Sequence, residues 1–384
     1  MKLRDNPPLH LTYCLNIHPG ETWEENLAAI HSNATKVRDA VAKKGVPFGL
    51  GLRLGNVAAC SLMEKTALDS FRDFLAEQNM YIFTLNGFPY GAFHGKPVKE
   101  AVYQPDWRTR ERRDYTIVLA DILAALLPEG VPGSISTVPC SYKDWIKSDN
   151  DIALMVRNLE ECAGHLALIE QRTGRHISLA LEPEPDCFLE TTKDILNFFK
   201  EHLVKSRILP HLGVCFDTCH LAVQFENLEN SLRSLLAAGI SVPKIQLSAA
   251  LKTPVTEPAL HELEKYCDSV YLHQVRTMDS SGAITRYKDL SPELLGRLRD
   301  SSTGELRAHF HVPLYLAGAG CLESTVQDLT PAFFKTALAA AIPHLEIETY
   351  TFDVLPPELR SVSVTDSIAR DFGAVSGWLR DCGC

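Results

Sequence analysis

The feature that most constrains the fold is an alternation of eight short apolar runs with amphipathic segments of helical length. The apolar runs occupy residues 11–18, 48–55, 81–88, 134–138, 176–183, 212–218, 244–249 and 344–352. Repeated strand–helix units predict parallel strands that are joined by right-handed crossovers. Eight such units match a closed (β/α)8 TIM barrel. The alternative is an open doubly wound sheet, which would favour a glycine-rich phosphate loop after the first strand.

The chain is longer than such a barrel requires. It has 384 residues, whereas a barrel of this class typically uses about 250. The largest surplus lies at about residues 252–318, where strand-like pieces at 269–277 and 307–315 flank a polar stretch with an SSG turn. We therefore expect a single domain over residues 1–384, with a hairpin or lobe inserted before the last barrel strand.

Composition and charge narrow the class of protein. The net charge of -10 argues against nucleic-acid binding as the main function. The eleven cysteines are scattered and odd in number, which is typical of reduced thiols in a cytoplasmic protein. No apolar signal segment opens the chain, and no run reaches the roughly 18 apolar residues of a membrane helix. We expect a cytoplasmic protein without membrane insertion, and a homo-oligomer is one candidate state.

Polar residues recur at the carboxyl ends of four successive predicted strands, which is where a TIM barrel carries its active site. They are Glu182, Asp217 with His220 just after it, Gln246, and either Glu346 or Glu348. Convergent carboxylates repel strongly at low dielectric, and a divalent cation removes that cost. Oxygen ligands with an occasional nitrogen suit Mg²⁺, Mn²⁺ or Zn²⁺. The pattern predicts a divalent metal, with His220 facing the ion or its substrate.

Each of these positions also has a simpler reading, because a lone acid at a strand end often caps a helix or forms a loop salt bridge. Glu346 and Glu348 share one face of their strand, and Glu348 lies nearer the mouth, so we prefer Glu348 as the ligand. The neighbouring Glu184 is expected to face solvent. Tyr90, Asn86 and Trp107, near the third strand, are candidates for lining a pocket for a polar ring, and the alternative for the two aromatic residues is packing.

Histidines form a second group of candidates. His309 and His311 are two residues apart, so they share one face of a strand. We predict that they bind a second metal or the substrate. His94 and His273 are weaker candidates for the same role. The alternative for all four is a core histidine whose nitrogens are satisfied by the backbone.

Together these residues resemble the xylose isomerase-like TIM barrels, a superfamily that includes sugar isomerases, ketose 3-epimerases, inosose dehydratases and endonuclease IV. A closer resemblance is to the EboE family of metabolite traffic proteins, over roughly residues 11–356. The segments that carry it are LTYCLNIHPGETWEENL, TLNGFPYGAFHG, VKEAVYQPDW, LEPEPDC, CFDTCH, KIQLSAAL, YLHQV, HFHVPLY and HLEIETYTFDVLP.

The resemblance implies a metal, with Mn²⁺ or Zn²⁺ favoured over Mg²⁺. The implied ligands are Glu182, Asp217, Gln246 and Glu348, with His220 beside them. Gln246 stands where the epimerases usually have histidine, and an amide oxygen binds zinc less well than an imidazole does. Endonuclease IV-like members place an Asp-x-His metal pair in the interval that holds residues 309–311. A second metal there would favour hydrolysis.

The leading hypothesis for function is isomerisation or epimerisation of a sugar, polyol or cyclitol-like metabolite. Glu182 and Glu348 would act as base and acid, and His220 would orient a hydroxyl group. The EboE resemblance implies a place in a secondary-metabolite precursor pathway that is linked to export. One alternative is a phosphoester hydrolase with several metals. The other is a metabolite-binding or traffic protein without turnover.

Overall fold

A computed structural model describes residues 1–94, 97–203, 209–299, 304–357, 360 and 362–384. The strands are β1 (Lys2–Arg4), β2 (Leu9–Tyr13), β3 (Phe48–Arg53), β4 (Met80–Asn86), β5 (Gly133–Thr137), β6 (Ile177–Leu181), β7 (Leu212–Asp217), β8 (Ser241–Leu247), β9 (Leu251–Pro254), β10 (Val275–Met278), β11 (Ile284–Tyr287), β12 (Glu305–Ala308), β13 (Gly318–Ala319), β14 (Leu322–Ser324) and β15 (His344–Ile347). The α-helices are α1 (Trp23–Ala29), α2 (Thr35–Val41), α3 (Asn56–Leu62), α4 (Lys65–Glu77), α5 (Arg110–Leu126), α6 (Asp149–Thr173), α7 (Thr192–Phe198), α8 (Thr218–Val223), α9 (Leu228–Ala237), α10 (Glu257–Leu263), α11 (Pro292–Arg299), α12 (Pro331–Ala339) and α13 (Val364–Asp381).

Eight parallel strands form the barrel, in the order β2-β15-β8-β7-β6-β5-β4-β3, and β1 pairs antiparallel with β2. An isolated parallel bridge between Cys14 and Gly51 joins β2 to β3 and closes the ring. The eight barrel strands fall on the eight apolar runs of the sequence. The predicted (β/α)8 fold is therefore confirmed.

The connection between β8 and β15 forms a lobe with a sheet of its own. Six antiparallel strands lie in the order β11-β10-β12-β9-β14-β13. The SSG segment makes the turn between β10 and β11, and Gly282 adopts a φ of +83° there, a conformation that glycine tolerates best. The strands of the lobe extend from Leu251 to Ser324, so the lobe ends later than the predicted boundary at residue 318.

A buried carboxylate, Glu190, anchors the lobe to the barrel. Its Oε1 accepts a hydrogen bond from Arg276 of β10 at 2.7 Å, and its Oε2 accepts one from Arg286 of β11 at 2.9 Å. Lys143 and Gln224 from the barrel loops bind the same carboxylate. Because Glu190 and Arg276 are both fully buried, loss of either partner would leave an uncompensated charge.

Helix α13 was absent from the predicted elements. The apolar residues of its buried face are Ile368, Phe372, Val375 and Leu379, spaced at the three- and four-residue intervals of an amphipathic helix. Phe372 packs edge-on against Tyr13 of β2, with ring centroids 6.3 Å apart. The helix therefore covers the barrel where the ring closes.

The barrel interior is polar and layered. At its base, Ser134 Oγ lies 2.8 Å from His344 Nδ1 and 2.8 Å from Thr84 Oγ1. One layer closer to the mouth, Lys244 Nζ and Glu346 Oε2 form a fully buried ion pair at 2.5 Å. Gly51 makes room for this pair, because a Cβ atom at that position would lie 1.6 Å from Glu346 Oε1.

We predict that Gly51→Ala lowers the free energy of unfolding by about 1–3 kcal/mol or more, since the added methyl overpacks a buried ion pair. The matched control is Gly164→Ala in α6, where a Cβ meets nothing within 4 Å. This control should stabilise the protein by about 0.5–1 kcal/mol, because alanine favours a helix over glycine. Urea unfolding of both variants measures the contrast. Equal effects of the two substitutions would contradict the packing.

Candidate functional site

Three of the predicted ligands meet at the mouth of the barrel. Asp217 is the last residue of β7, Glu182 follows β6 directly, and Glu348 follows β15. All three are buried, and each has a carboxylate oxygen within 4.8 Å of one from each of the others. Side chains that are 35 or more residues apart in sequence are thus brought together because parallel strands end at one rim.

Several buried oxygens at this rim lack a hydrogen-bond partner among the described residues: Glu182 Oε2, Asp217 Oδ2 and Gln246 Oε1. The other oxygen of Asp217 is fully engaged, because it accepts from the Ser248 hydroxyl at 2.7 Å and from the His220 N–H at 3.0 Å. A buried polar atom without a hydrogen-bond partner lowers the stability of the folded protein. Carboxylate and amide oxygens in this arrangement fit the donor set of a hard divalent cation.

The structure separates Glu348 from Glu346. Glu348 Oε1 accepts hydrogen bonds from Asn16 Nδ2 at 2.7 Å and Asn86 Nδ2 at 3.1 Å, which orient it at the mouth. Glu346 lies one layer deeper and is paired with Lys244. Glu348, and not Glu346, is therefore the member of the carboxylate cluster.

Crowding displaces the pKa values of the three carboxyl groups in the metal-free protein. Burial, and then the charge of Asp217, raise the pKa of Glu182 to about 7. Burial, and then Glu182 and Asp217, raise the pKa of Glu348 well above its usual range. Burial alone would also raise the pKa of Asp217, but His220 and His311 outweigh it and lower that pKa. At neutral pH the cluster therefore holds a proton unless a cation replaces it.

Three imidazoles, His220, His309 and His311, form a second cluster against Asp217, with ring centroids 4.5 to 5.5 Å apart. Each Nδ1 hydrogen-bonds to an oxygen: His220 to the Pro183 carbonyl at 2.8 Å, His309 to Gln274 Oε1 at 2.7 Å, and His311 to the Glu348 carbonyl at 3.0 Å. These oxygens only accept, so each Nδ1 carries a proton and each Nε2 of a neutral ring has a free lone pair.

His309 Nε2 and His311 Nε2 lie 3.1 Å apart. Two lone pairs at that distance repel unless a proton or a cation lies beside them. Burial, and then nearby histidines, lower the pKa of His309 well below its usual range, and burial lowers the pKa of His311 to about 4. The pair is therefore neutral at pH 7, and its lone pairs are available to a metal ion.

Glu184 corrects one prediction, because it is buried at the site and does not face solvent. Its Oε1 accepts a hydrogen bond from Tyr103 at 2.7 Å and lies 3.7 Å from His309 Nδ1. The sequence EPEP placed it on the loop after β6, and the turn of that loop directs it inward. Tyr103 and Glu184 are site residues that the sequence reasoning missed.

His94 and His273 lie apart from the imidazole cluster. His94 Nε2 donates to the Asn16 carbonyl at 2.9 Å, and its Nδ1 lies 3.6 Å from Glu21 Oε1. His273 Nδ1 donates to the His309 carbonyl at 2.7 Å, and its Nε2 faces Asp268. Both rings position neighbouring backbone, and the described residues offer no shared ligand position for either one.

Aromatic side chains wall the pocket above the carboxylates: Phe88, Phe93, Tyr103, Tyr271 and Tyr350. The polar floor is formed by Glu182, Glu348 and the three imidazoles, and the lobe contributes Tyr271 and Leu272 to the wall. A pocket with apolar sides and a polar, anionic floor suits a small polyhydroxylated ligand that stacks one face and binds through its oxygens.

Among the described residues, no helix is long and apolar enough to cross a membrane.

Solved structures with the same architecture match nearly the whole chain. One is a xylose isomerase-like TIM-barrel protein from Mycobacterium smegmatis in complex with magnesium, which is 11% identical over 98% of both chains with a TM-score of 0.52. The chain has the xylose isomerase-like TIM-barrel fold. A D-allulose 3-epimerase from Methylomonas sp. matches at 13% identity over 96% of this chain and 98% of that one, with a TM-score of 0.52.

A D-tagatose 3-epimerase-like protein shares this fold at 11% identity over 97% of this chain and 98% of that one, also with a TM-score of 0.52. No protein-family model and no curated protein matches the sequence. Structural matches at identities this low establish the fold alone. The chemistry of this barrel therefore has to be argued from its own residues.

We predict that the contribution of Glu182 to the stability of the chelator-treated protein is lost as the pH rises from 5 to 8. Folding raises the pKa of Glu182 from 4.5 to about 7, so its contribution is fully present below pH 4.5 and is lost as pH passes 7. This displacement corresponds to a change of roughly 3 kcal/mol in the free energy of unfolding. Asp217 has a lowered pKa, so its contribution changes only in stronger acid.

Thermal melting at pH 5, 6, 7 and 8 measures this effect. Relative to Glu182→Gln, whose amide cannot titrate, the wild-type protein should lose stability as the pH rises. Glu160→Gln, at an exposed position on α6, is the control and should keep the wild-type profile. A stability difference between wild type and Glu182→Gln that stays constant with pH would contradict the raised pKa of Glu182.

Proposed function

We propose that the protein is a divalent-metal-dependent enzyme that isomerises or epimerises a sugar or cyclitol-like polyol. The observation that carries the proposal is the set of unpartnered buried oxygens on Glu182, Asp217 and Gln246 beside Glu348. Support also comes from the structural neighbours, which include a D-allulose 3-epimerase and a magnesium-bound protein of the same fold.

Glu182, Asp217, Gln246 and Glu348 would hold the ion. When bound, a divalent ion supplies Lewis-acid polarisation of a carbonyl and its neighbouring hydroxyl, which acidifies the adjacent C–H group. The oxygen-rich donor set suits Mn²⁺ and Mg²⁺ directly, and Zn²⁺ also accepts it. Mn²⁺ or Zn²⁺ is our favoured ion, on the sequence resemblance to the superfamily.

The chain's own residues would handle the protons. Glu182 Oε2, which has no hydrogen-bond partner among the described residues, would accept a proton from carbon, provided that Glu182 binds the ion only loosely. Glu348, held by Asn16 and Asn86, would face the substrate from another strand end. His220 donates Nδ1–H to the Pro183 carbonyl, which leaves Nε2 to orient a substrate hydroxyl. The aromatic wall would exclude water from the carbon acid.

The setting of this reaction is a further part of the proposal. The resemblance to the EboE family supports a role in a secondary-metabolite precursor pathway that is linked to export. All eleven cysteines are free, which supports a cytoplasmic location.

Proton-transfer chemistry can be tested by deuterium exchange. Metal-loaded protein is incubated in D₂O with a panel of ketoses and ketocyclitols, and deuterium at carbon is read by NMR. We expect exchange with at least one compound, and a loss of at least about a hundredfold in Glu182→Gln, since general acid–base catalysis contributes that much. Glu160→Gln should exchange like wild type. Measurable binding without any deuterium incorporation would instead favour a non-catalytic binding or traffic protein.

A second candidate function is a multi-metal phosphoester hydrolase. It is favoured by the neutral imidazole pair His309 and His311, whose Nε2 atoms face each other at 3.1 Å next to Asp217 and His220. A second ion at this position would lie beside the first cluster. Two neighbouring ions can stabilise both the attacking and the leaving oxygen during hydrolysis. His94 and His273 are left out of this candidate because their rings are engaged elsewhere.

Metal count at the mouth separates the two functions. The protein is loaded with Mn²⁺, desalted, and analysed for metal per chain, with His309→Ala and Glu182→Gln alongside. The isomerase proposal expects one ion to be lost in Glu182→Gln and none to be lost in His309→Ala. Loss of an ion in His309→Ala, together with phosphodiesterase activity, would establish the hydrolase and overturn the isomerase.

A further inference from the structure

A separate group of metal-ligating side chains lies at the other end of the barrel. Glu170 is in the last turn of α6, His176 immediately precedes β6, and His211 immediately precedes β7. One ligand atom from each of the three lies within 4.8 Å of the other two. The group is independent of the mouth, because Glu182 and Asp217 lie at the opposite ends of those same strands.

The hydrogen bonds of His211 fix its tautomer. His211 Nδ1 lies 2.9 Å from the Ile177 carbonyl, which can only accept, so Nδ1 carries the proton. The Nε2 atom of the neutral ring therefore has a free lone pair. It lies 3.2 Å from Glu170 Oε2, another lone-pair atom. A positive charge between these two atoms, either a proton or a metal ion, is needed to make the contact attractive.

His176 completes the group from the solvent side. Its Nδ1 lies 3.1 Å from Glu170 Oε1, so the two histidines engage the two oxygens of one carboxylate. The His176 and His211 rings lie 4.9 Å apart at an interplanar angle of 28°. The side chains of His176 and Glu170 are 37% and 43% exposed, against 5% for His211. An ion could therefore enter from solvent while one ligand stays fixed in the protein.

The position of Glu170 adds a second reason for a cation. It lies in the final turn of a 25-residue helix, where the helix dipole is negative and an acidic side chain is unfavourable. The last turn of α6 has one basic residue, Arg172, whose Nε donates to the Leu168 carbonyl and not to Glu170. Among the described contacts, the Glu170 carboxylate meets only the two histidines.

We propose that Glu170, His176 and His211 form a second, structural metal site for a transition-metal ion of the zinc type. Two imidazole nitrogens and one carboxylate oxygen suit Zn²⁺, whereas Mg²⁺ and Ca²⁺ prefer all-oxygen sites. The ion tethers the end of α6 to the starts of β6 and β7. Water completes its coordination, since two of the three ligands face solvent. This inference does not depend on the proposed function.

The test uses the full-length chain with the mouth silenced by Glu182→Gln, Asp217→Asn and His309→Ala, which together remove a ligand from every three-ligand group at the mouth, so that zinc at the opposite end is counted alone. Chelator-stripped protein is titrated with Zn²⁺ in competition with a chromophoric chelator. We expect one equivalent to bind. Adding His176→Ala or Glu170→Gln should weaken binding at least about tenfold, because loss of even an indirect partner of a metal ligand costs 10–100-fold. Both positions are partly exposed, so these substitutions should leave the fold intact.

The matched control is His261→Ala. His261 also lies beside a glutamate, with 3.4 Å between Nδ1 and Glu264 Oε2, but it belongs to none of the three-ligand groups found among the described residues. This variant should bind zinc as tightly as its parent. Zinc affinity that is unchanged by both His176→Ala and Glu170→Gln, or an absence of zinc binding by the mouth-silenced parent, would overturn the proposal and leave a protonated His211–Glu170 ion pair. Neither result would bear on the chemistry of the mouth.

Discussion

Mutual repulsion among three buried carboxylates governs the mouth of this barrel. Glu182, Asp217 and Glu348 are each fixed by the end of a different strand, so none can retreat from the others without distorting the sheet. All three carboxyl groups can therefore be ionised at once only when a positive charge lies between them. The surrounding groups serve this arrangement, since Asn16 and Asn86 orient Glu348, and Ser248 holds Asp217.

The lobe contributes two of the three imidazoles at the mouth. His309 and His311 follow β12 of the lobe sheet, whereas His220 and the three carboxylates come from the ends of barrel strands and the residues just after them. The Nδ1 atoms of His309 and His311 bond to Gln274 of the lobe and to the backbone of Glu348, so the imidazole pair depends on how the lobe packs against the barrel. The anchor at Glu190, which holds two arginines of the lobe sheet, fixes that packing. The geometry of the mouth therefore depends on packing outside it.

Much of this could be predicted from sequence, for identifiable reasons. Strand alternation and strand ends are local signals, so the eight barrel strands and the convergence of Glu182, Asp217 and Glu348 follow from them. The burial of Glu184 could not be predicted, because it depends on a loop that turns back toward Tyr103. The engagement of His94 and His273 by distant backbone is equally non-local. Helix α13 does carry a local signal, because Ile368, Phe372, Val375 and Leu379 recur at helical spacing.

The ion pair beneath the mouth limits how much uncompensated negative charge gathers in the barrel. Lys244 extends into the middle of the barrel, two residues before Gln246 on the same strand, and its ammonium group is fully enclosed. Its positive charge compensates a fourth buried carboxylate, Glu346, at 2.5 Å. A cation that approaches the mouth would therefore be drawn to the three upper carboxylates, and not to Glu346 below them.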